Sequence, residues 1–152
     1  ANDNSQIMFN WDDSSFISVA RSRGRNTKIS TRAGFKETSS STFNGGCVAC
    51  YEHKVNNGGF KSFVSTDVGG QYAQTDTGMD ADLNWHVWKG DLRQGNSGTQ
   101  KAQRFNLSMD GILRATDTLY LPNDDMGMFY YHYQSESRVN CSDFSYFEAW
   151  NH

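Results

Sequence analysis

The chain has 152 residues, a net charge of -3, 36% apolar residues and 14% aromatic residues. Its length corresponds to a single domain, and its aromatic content excludes a disordered chain. Because it has 14 glycines, one proline and few strong helix formers, it is neither a collagen, nor a coiled coil, nor a helical bundle. No apolar run reaches the roughly 20 residues of a membrane span, so no membrane partner is expected. The composition predicts one soluble all-β domain over residues 1–152.

Short alternating segments, separated by turn residues, run along the whole chain and predict β-strands. They are residues 7–11, 16–21, 27–32, 43–55 or 47–55, 60–65, 72–75, 83–92, 103–109, 112–115, 128–134 and 144–150. Gly24 is expected to join the second and third segments into a hairpin, and residues 56–59 and 110–111 predict two more hairpin turns. The fold expected from this pattern is an antiparallel two-sheet β-sandwich, a jelly roll, with a closed barrel as the alternative.

Charge is distributed unevenly along the chain. Between residues 21 and 36 there are six cations and no acid, and between residues 64 and 82 there are four acids and no cation. The cations are Arg21, Arg23, Arg25, Lys28, Arg32 and Lys36. Such a run indicates a patch that faces a polyanion, or alternatively a solvated edge hairpin whose charges prevent aggregation. The acidic overall balance disfavours a nucleic-acid partner.

Cysteines and acidic loops raise the question of metal binding. The chain has three cysteines, which are Cys47, Cys50 and Cys141. Their pairing stays open, and a disulfide or free thiols are preferred to a zinc site with His53, because alternate strand residues face opposite ways. No cofactor is expected. Calcium is one alternative at the acidic loops 80–82 and 123–125, where solvated turn acids are the simpler explanation.

The segment 128–134 carries the side chains best suited to bind a polar ligand. Alternation along a strand places Tyr130, His132 and Gln134 on one face. The other face carries Phe129, Tyr131 and Tyr133, and we assign it to the core. Burying a hydroxyl, an imidazole and an amide is costly unless each finds a hydrogen-bond partner. We therefore expect this face to line a groove in which sugar rings stack on aromatics and sugar hydroxyls form hydrogen bonds. A partly exposed sheet face without a ligand is the alternative.

Two further groups are candidates for the same groove. His86 and Trp88 share a face of their predicted strand and line the groove if that face is concave, whereas burial in the core is the alternative for Trp88. Arg21 and Arg23 are expected to meet the carboxylates or sulfates of an acidic polysaccharide. The candidate ligand-binding residues are thus Tyr130, His132, Gln134, Trp88, His86, Arg21 and Arg23.

The second half of the chain resembles the concanavalin A-like jelly rolls of the LamG and glucanase type. The resemblance is carried by Trp85-His86-Val87-Trp88, then by residues 105–112 with their Asp-Gly turn, then by the closing aromatic strand 144–150. It implies a carbohydrate-binding domain, a glycosidase or a polysaccharide lyase. Because the chain is shorter than most catalytic members, a lectin-like binding domain is favoured. The basic segment 21–36 favours an acidic polysaccharide as its ligand. If the protein is a lyase, His132 and Tyr130 are the expected acid–base pair.

Two other functions stay open. Residues 51–57 resemble the Tyr-x-His-Lys strand of fungal guanyl-specific ribonucleases, which implies catalysis by His53 together with Arg104 and His132, with Asp67 in place of the family's Glu base. A structural or interaction jelly roll without a glycan ligand is the other alternative.

The start of the chain and two sequons bear on location. The chain begins Ala1-Asn2-Asp3 without Met, as a trimmed mature protein does. Asn106 and Asn140 begin N-glycosylation sequons, which permit glycosylation. These features predict a secreted protein.

Overall fold

The computed structural model describes residues 8–9, 13–22, 29–38, 46–53, 59–66, 71–80, 82–94, 102–134 and 142–152. These residues form ten β-strands, and they contain no helix that is long and apolar enough to cross a membrane. The strands are β1 (Ser14–Ser22), β2 (Ile29–Glu37), β3 (Cys47–His53), β4 (Gly59–Ser65), β5 (Tyr72–Asp80), β6 (His86–Gln94), β7 (Ala102–Met109), β8 (Ile112–Asp117), β9 (Met126–Gln134) and β10 (Ser142–Asn151).

The strands form a sandwich of two antiparallel five-stranded sheets. Sheet A has the strand order β5-β4-β3-β2-β9, and sheet B has the order β10-β1-β6-β7-β8. The predicted fold class, an antiparallel two-sheet sandwich of the jelly-roll type, is confirmed. β3 pairs with β4, as the predicted hairpin requires. The turn between β7 and β8 is formed by Asp110 and Gly111, whose positive φ angles of 52° and 80° suit a two-residue hairpin turn.

The hairpin predicted between residues 16–21 and 27–32 is wrong. β1 pairs with β10 and β6 in sheet B, while β2 pairs with β3 and β9 in sheet A. The physical reason is that each strand buries an aromatic ring on its inner side. Phe16 and Phe35 are fully buried and meet edge to face across the sandwich, with ring centroids 5.2 Å apart. Placing both strands side by side in one sheet would separate this pair.

Phe16 lies at the centre of a largely aromatic core. Its ring stacks on Phe105 and Phe147 of its own sheet, at centroid distances of 6.2 and 5.8 Å, and meets Phe35 of sheet A edge to face. Gly90 of β6 lies directly opposite Phe16, and a Cβ atom there would collide with the rings of Phe16 and Phe105. The size of Phe16 therefore requires glycine at this position.

The two edges of the sandwich, where the outermost strands of the sheets lie, differ in how they are closed. At one edge β8 approaches β4 and β5, where the buried carboxylate of Asp117 accepts hydrogen bonds from Ser62 and Thr75. At the other edge the outermost strands are β9 and β10, and an apolar groove of about 390 Å³ lies there. The groove is lined by Met128, Phe129, Tyr130 and Phe147. Hydrogen bonds thus connect the two sheets at one edge, whereas a groove lies between them at the other edge.

Gly90→Ala is expected to destabilise the fold, because the added methyl group overlaps the rings of Phe16 and Phe105. Overpacking of this kind costs about 1–3 kcal/mol of unfolding free energy, which equilibrium unfolding in urea measures. Gly127→Ala is the matched control, since a Cβ at that position meets only the Thr38 methyl group, at an ordinary 3.5 Å. An equally small loss in both variants would contradict the tight packing around Phe16.

Candidate functional site

The residues predicted to line one groove are divided between the two sheets. Tyr130, His132 and Gln134 belong to β9 at the edge of sheet A, whereas His86 and Trp88 belong to β6 in the middle of sheet B. Because these strands lie in opposite layers of the sandwich, the structure does not gather the candidates at one site. Arg21 lies in β1, next to β6, and Arg23 lies outside the described residues.

Trp88 occupies the core rather than a ligand-accessible surface. Its side chain is buried, and its ring meets Phe60 of sheet A at a centroid distance of 4.9 Å. His86 and Trp88 do share a face of β6, as alternation predicts, but it is the inner face of sheet B. Trp88 therefore stabilises the packing of the two sheets, which was the alternative to a binding role.

His86 joins two loops through its imidazole ring. Nδ1 lies 2.7 Å from Oδ2 of Asp110 in the β7–β8 turn, and Nε2 lies 2.7 Å from Oδ1 of Asp82, which precedes β6. The ring is buried against Phe60 and Trp88. Both carboxylates receive a hydrogen bond only when both ring nitrogens carry protons, which is the imidazolium form. We refer to His86, Asp82 and Asp110 as the His86 clasp.

The His86 clasp shifts the pKa values of two of its members. Burial lowers the pKa of His86, but hydrogen bonds to Asp110 and Asp82 and their negative charges outweigh it, so the pKa is raised above 6.5. Burial raises the pKa of Asp110, but the Val87 N–H, the His86 ring and the charges of His86 and Arg114 outweigh it, so the pKa falls below 3.8. The clasp thus stabilises a charged imidazolium between ionised carboxylates.

Tyr130 lies on the inner side of β9, which reverses the predicted assignment of its faces. It is directly opposite Ala33, a buried residue that faces the core. Because β9 is the last strand of sheet A, the Tyr130 ring reaches the open groove and is 44% exposed there. The face that includes Phe129, assigned to the core from the sequence, is therefore the outer one. The side chains of His132 and Gln134 lie outside the described part of the structure.

The outer side of sheet A carries a cluster of cationic and aromatic side chains. Val64 of β4 faces the core, so the adjacent Phe63 projects from the opposite side of the sheet. The guanidinium carbon of Arg32 lies 3.9 Å from the centroid of the Phe63 ring, and that ring stacks on Tyr72 at 5.7 Å. Because side chains alternate along a strand, Lys36 of β2 and Lys61 of β4 lie on the same side as Arg32 and Phe63. We define the Arg32 face as Arg32, Lys36, Lys61, Phe63 and Tyr72.

The cations of the Arg32 face lie at different depths. Arg32 is 7% exposed and lies on its aromatic neighbour, whereas Lys36 and Lys61 are half-buried. Lys61 is opposite Asp76 in the pairing of β4 with β5, but it forms no ion pair with any residue that the structure describes. Asp76 instead accepts the backbone N–H of Gly78 at 2.8 Å. Among the described residues this side has three cations and two carboxylates, Asp76 and Asp80 of β5, so its described charges sum to a positive value, which suits an anionic ligand.

Strand register places further titratable residues beside Arg32. Arg32 is directly opposite Tyr51 of β3 on one side and Tyr131 of β9 on the other. Ser30, two residues before Arg32 in β2, is directly opposite His53 of β3 and Tyr133 of β9. The backbone thus brings a histidine and three tyrosines to register positions around one arginine.

The sequence indicated only part of the Arg32 face. The basic segment contains Arg32 and Lys36, but it gave no indication of the three members from β4 and β5, which are Lys61, Phe63 and Tyr72. The available signal was the alternation in β4. It was ambiguous because both sides of that strand carry an aromatic ring, Phe60 on the inner side and Phe63 on the outer side.

The residues of the ribonuclease hypothesis are not brought together. Arg104 is on β7 of sheet B, opposite Arg93, and its side chain is exposed. His53 and His132 are in β3 and β9 of sheet A. Since the core separates the outer side of sheet B from sheet A, a site that needs all three residues does not form in this fold.

The acidic loops considered for calcium use their carboxylates internally. Asp82 accepts the backbone N–H of Asn84 at 2.9 Å in addition to its bond with His86, and Asp124 accepts the backbone N–H of Asp125 at 2.8 Å. Within the described ranges, no group of three or more His, Cys, Asp or Glu residues could hold a metal ion. Outside the described part lie the side chains of Cys47, Cys50 and His53 and the whole of Cys141.

Comparison with solved structures identifies a protein of similar fold. A crystal structure described as a native glycosidic hydrolase superposes with a TM-score of 0.64 at 14% sequence identity. The similarity covers 91% of this chain and 65% of that chain, so this chain spans less than two-thirds of the other's length. At this identity the likeness shows the fold alone. No family model matches the sequence, and no curated protein matches it either.

The His86 clasp predicts a pH-dependent stability. Because the pKa of His86 is raised on folding, its contribution is fully present below pH 6.5 and is lost as pH rises through the folded-state pKa. Asp110 acts in the opposite direction, and its contribution is lost as pH falls through its lowered pKa, below 3.8. Urea midpoints measured from below pH 6.5 to well above it are expected to decline in the wild type and to change less in His86→Gln.

His152→Gln is the control for this experiment, since His152 lies at the other end of sheet B, beside Ser15. The control variant is expected to keep the decline of the wild type. A decline of the same size in His86→Gln as in His152→Gln would show that the clasp does not titrate in this range.

Proposed function

We propose that this protein is a carbohydrate-binding, lectin-like domain that binds an acidic polysaccharide through the Arg32 face. The observation that carries the proposal is the Arg32 guanidinium stacked on Phe63, on the same face as Lys36 and Lys61. Carboxylates and sulfates form charge-assisted hydrogen bonds with guanidinium and ammonium groups. A sugar ligand also agrees with the fold that the chain shares with a structure described as a glycosidic hydrolase.

The aromatic residues supply the second part of sugar recognition on this face. Tyr72 is 53% exposed, and stacking on Phe63 fixes the orientation of its ring. A sugar ring packs its C–H groups on such an aromatic surface. Gln74 is opposite Phe63 on the same side and is exposed, so its amide is available to hydroxyl groups. The cations thus hold the acid groups of the ligand, while Tyr72 and Gln74 hold its rings.

A polysaccharide lyase is the second candidate, favoured by the residues in register with Arg32. Elimination needs a base that removes the proton on the carbon next to the carboxylate, a cation that stabilises the resulting anion, and an acid that protonates the departing glycosidic oxygen. The C–O bond breaks as a C=C bond forms, and neither water nor a redox partner is consumed. Arg32 would be the cation, and His53 and Tyr51 or Tyr131 would be the base and the acid.

This assignment replaces the acid–base pair expected from the sequence, His132 and Tyr130. Tyr130 lines the apolar groove between the sheet edges, away from the Arg32 guanidinium on the outer side. We also propose that the protein is secreted, since acidic polysaccharides are polymers of cell walls and extracellular matrices.

Lys61→Gln is expected to weaken binding of an acidic polymer such as alginate or pectin about tenfold or more, since one hydrogen bond to a charged group contributes about 1.5–3 kcal/mol. Affinity electrophoresis through gels that contain the polymer measures this change. Lys89→Gln is the matched control, because Lys89 is a partly exposed lysine of sheet B that pairs with Asp91 at 3.3 Å. Affinity is also expected to fall as salt concentration rises.

Two results would contradict the binding proposal. Unchanged affinity in Lys61→Gln, with binding intact, would move the acidic-polymer site away from the Arg32 face. Absence of retardation by every acidic polymer would favour a structural or interaction domain instead.

The lyase candidate predicts ultraviolet absorbance from the new C=C bond when the protein is mixed with an acidic polysaccharide. His53→Ala is then expected to lower turnover about 100-fold or more, the size of a general acid–base contribution, while binding is retained. His132→Ala is the control and is expected to keep turnover. Loss in His132→Ala alone would return the role to the pair expected from the sequence, and a wild type without absorbance excludes the lyase.

A further inference from the structure

The outer side of sheet B exposes aromatic and apolar side chains that have no part in the Arg32 face. Trp85, Val87 and Tyr146 are 43%, 43% and 49% exposed. Val19 of β1 lies directly opposite Val87 on one neighbouring strand and Tyr146 on the other, so these side chains adjoin one another. We define the Trp85 face as Arg21, Trp85, Val87, Asp143, Tyr146 and Glu148. A contiguous exposed apolar surface with polar neighbours is typical of an interaction site.

Polar groups on the Trp85 face hold one another in place. Nε of Arg21 donates to Oδ2 of Asp143 at 2.8 Å, and the guanidinium carbon lies 4.8 Å from the centroid of the Trp85 ring. Tyr146 donates its hydroxyl hydrogen to Glu148. The two Nη groups of Arg21 form no hydrogen bond with the residues that the structure describes. The guanidinium is therefore fixed at its Nε side, and its Nη donors are available to a ligand.

Charge distinguishes the Trp85 face from the Arg32 face. On the outer side of β1 and β6, each described cation has a carboxylate partner within 4.0 Å, and the pairs are Arg21–Asp143, Lys89–Asp91 and Arg93–Asp13. Glu148 adds a further negative charge, which Tyr146 shares through its hydrogen bond. The part of this outer side formed by β10, β1 and β6 therefore has its described cations paired with carboxylates, and its chemistry complements an uncharged ligand that has both apolar surfaces and hydroxyl groups.

We propose that the Trp85 face is a second carbohydrate site, which binds uncharged polysaccharide chains. Sugar rings pack on Trp85 and Tyr146, while sugar hydroxyls accept hydrogen bonds from Arg21 and donate them to Asp143 and Glu148. The strand of Tyr146 and the strand that follows Trp85 are two strand spacings apart, about 10 Å, so an oligosaccharide rather than a single sugar contacts both. This site is independent of the function proposed for the Arg32 face.

The test compares variants of the two faces with uncharged β-glucan, mannan and xylan, and with alginate as the acidic polymer. Trp85→Ala and Tyr146→Ala are each expected to weaken binding of the recognised uncharged polymer about tenfold. Neither change is expected to alter binding of alginate. Tyr72→Ala is the matched control, since it removes an exposed tyrosine from the opposite sheet, and it is expected to leave binding of uncharged polymers unchanged. Trp85→Phe keeps an aromatic surface and is expected to restore most of the affinity.

A second measurement follows the Nε–H resonance of Arg21 by NMR while an oligosaccharide of the recognised polymer is added. A shift of that resonance that saturates with the ligand supports the proposal. Three results would overturn it: no binding of any uncharged polymer, equal losses in Trp85→Ala and Tyr72→Ala, or self-association in light scattering that Trp85→Ala abolishes. The last result would identify the face as an interface between copies of the chain. Absence of alginate binding by the wild-type protein would contradict the proposal for the Arg32 face and would leave the proposal for the Trp85 face unchanged.

Discussion

The packing of Phe16 is the constraint on which the two surfaces of this molecule depend. Its fully buried ring meets Phe105 and Phe147 of its own sheet and Phe35 of the other, and Gly90 leaves the space it needs. Since side chains alternate along a strand, fixing Phe16 inward fixes Arg21 outward on β1. A shift of one residue in register would exchange the inner and outer sets, and the core would lose its rings.

The alternation of side chains along a strand also determines the chemistry of the outer side of sheet A. Phe35 and Val64 face inward on β2 and β4, so Arg32 and Phe63 face outward, where they stack. The two outer sides then differ in how their cations are compensated. Lys61 has no ion-pair partner among the described residues, whereas the cations of β1 and β6 are paired with carboxylates. One sandwich thus presents a cationic surface on the outer side of sheet A and, on β1 and β6 of sheet B, an aromatic surface whose cations are paired with carboxylates.

The elements that sequence predicts well are those whose partners are near in the chain. The β7–β8 hairpin is determined by Asp110 and Gly111, and the alternating strands by their own residues. The pairing of β1 with β10 and β6 joins distant segments, and no local pattern indicates it. Contacts between distant segments are equally absent from local patterns. The sequence shows Arg32 within a basic run but does not indicate its contact with Phe63. It likewise does not indicate that Phe60 of sheet A packs on Trp88 of sheet B.

The His86 clasp connects the core to the Trp85 face. A buried imidazolium is costly unless it is paired, and here two carboxylates at 2.7 Å compensate it. Asp110 also accepts the backbone N–H of Val87 at 2.9 Å and donates its own N–H to the Val87 carbonyl at 2.8 Å. These bonds fix the start of β6, and Trp85 immediately precedes it. The position of an exposed aromatic ring beside Arg21 therefore depends on an ion-paired cluster of one buried imidazole and two partly exposed carboxylates, whereas the Arg32 face is held by the stacking of its own side chains.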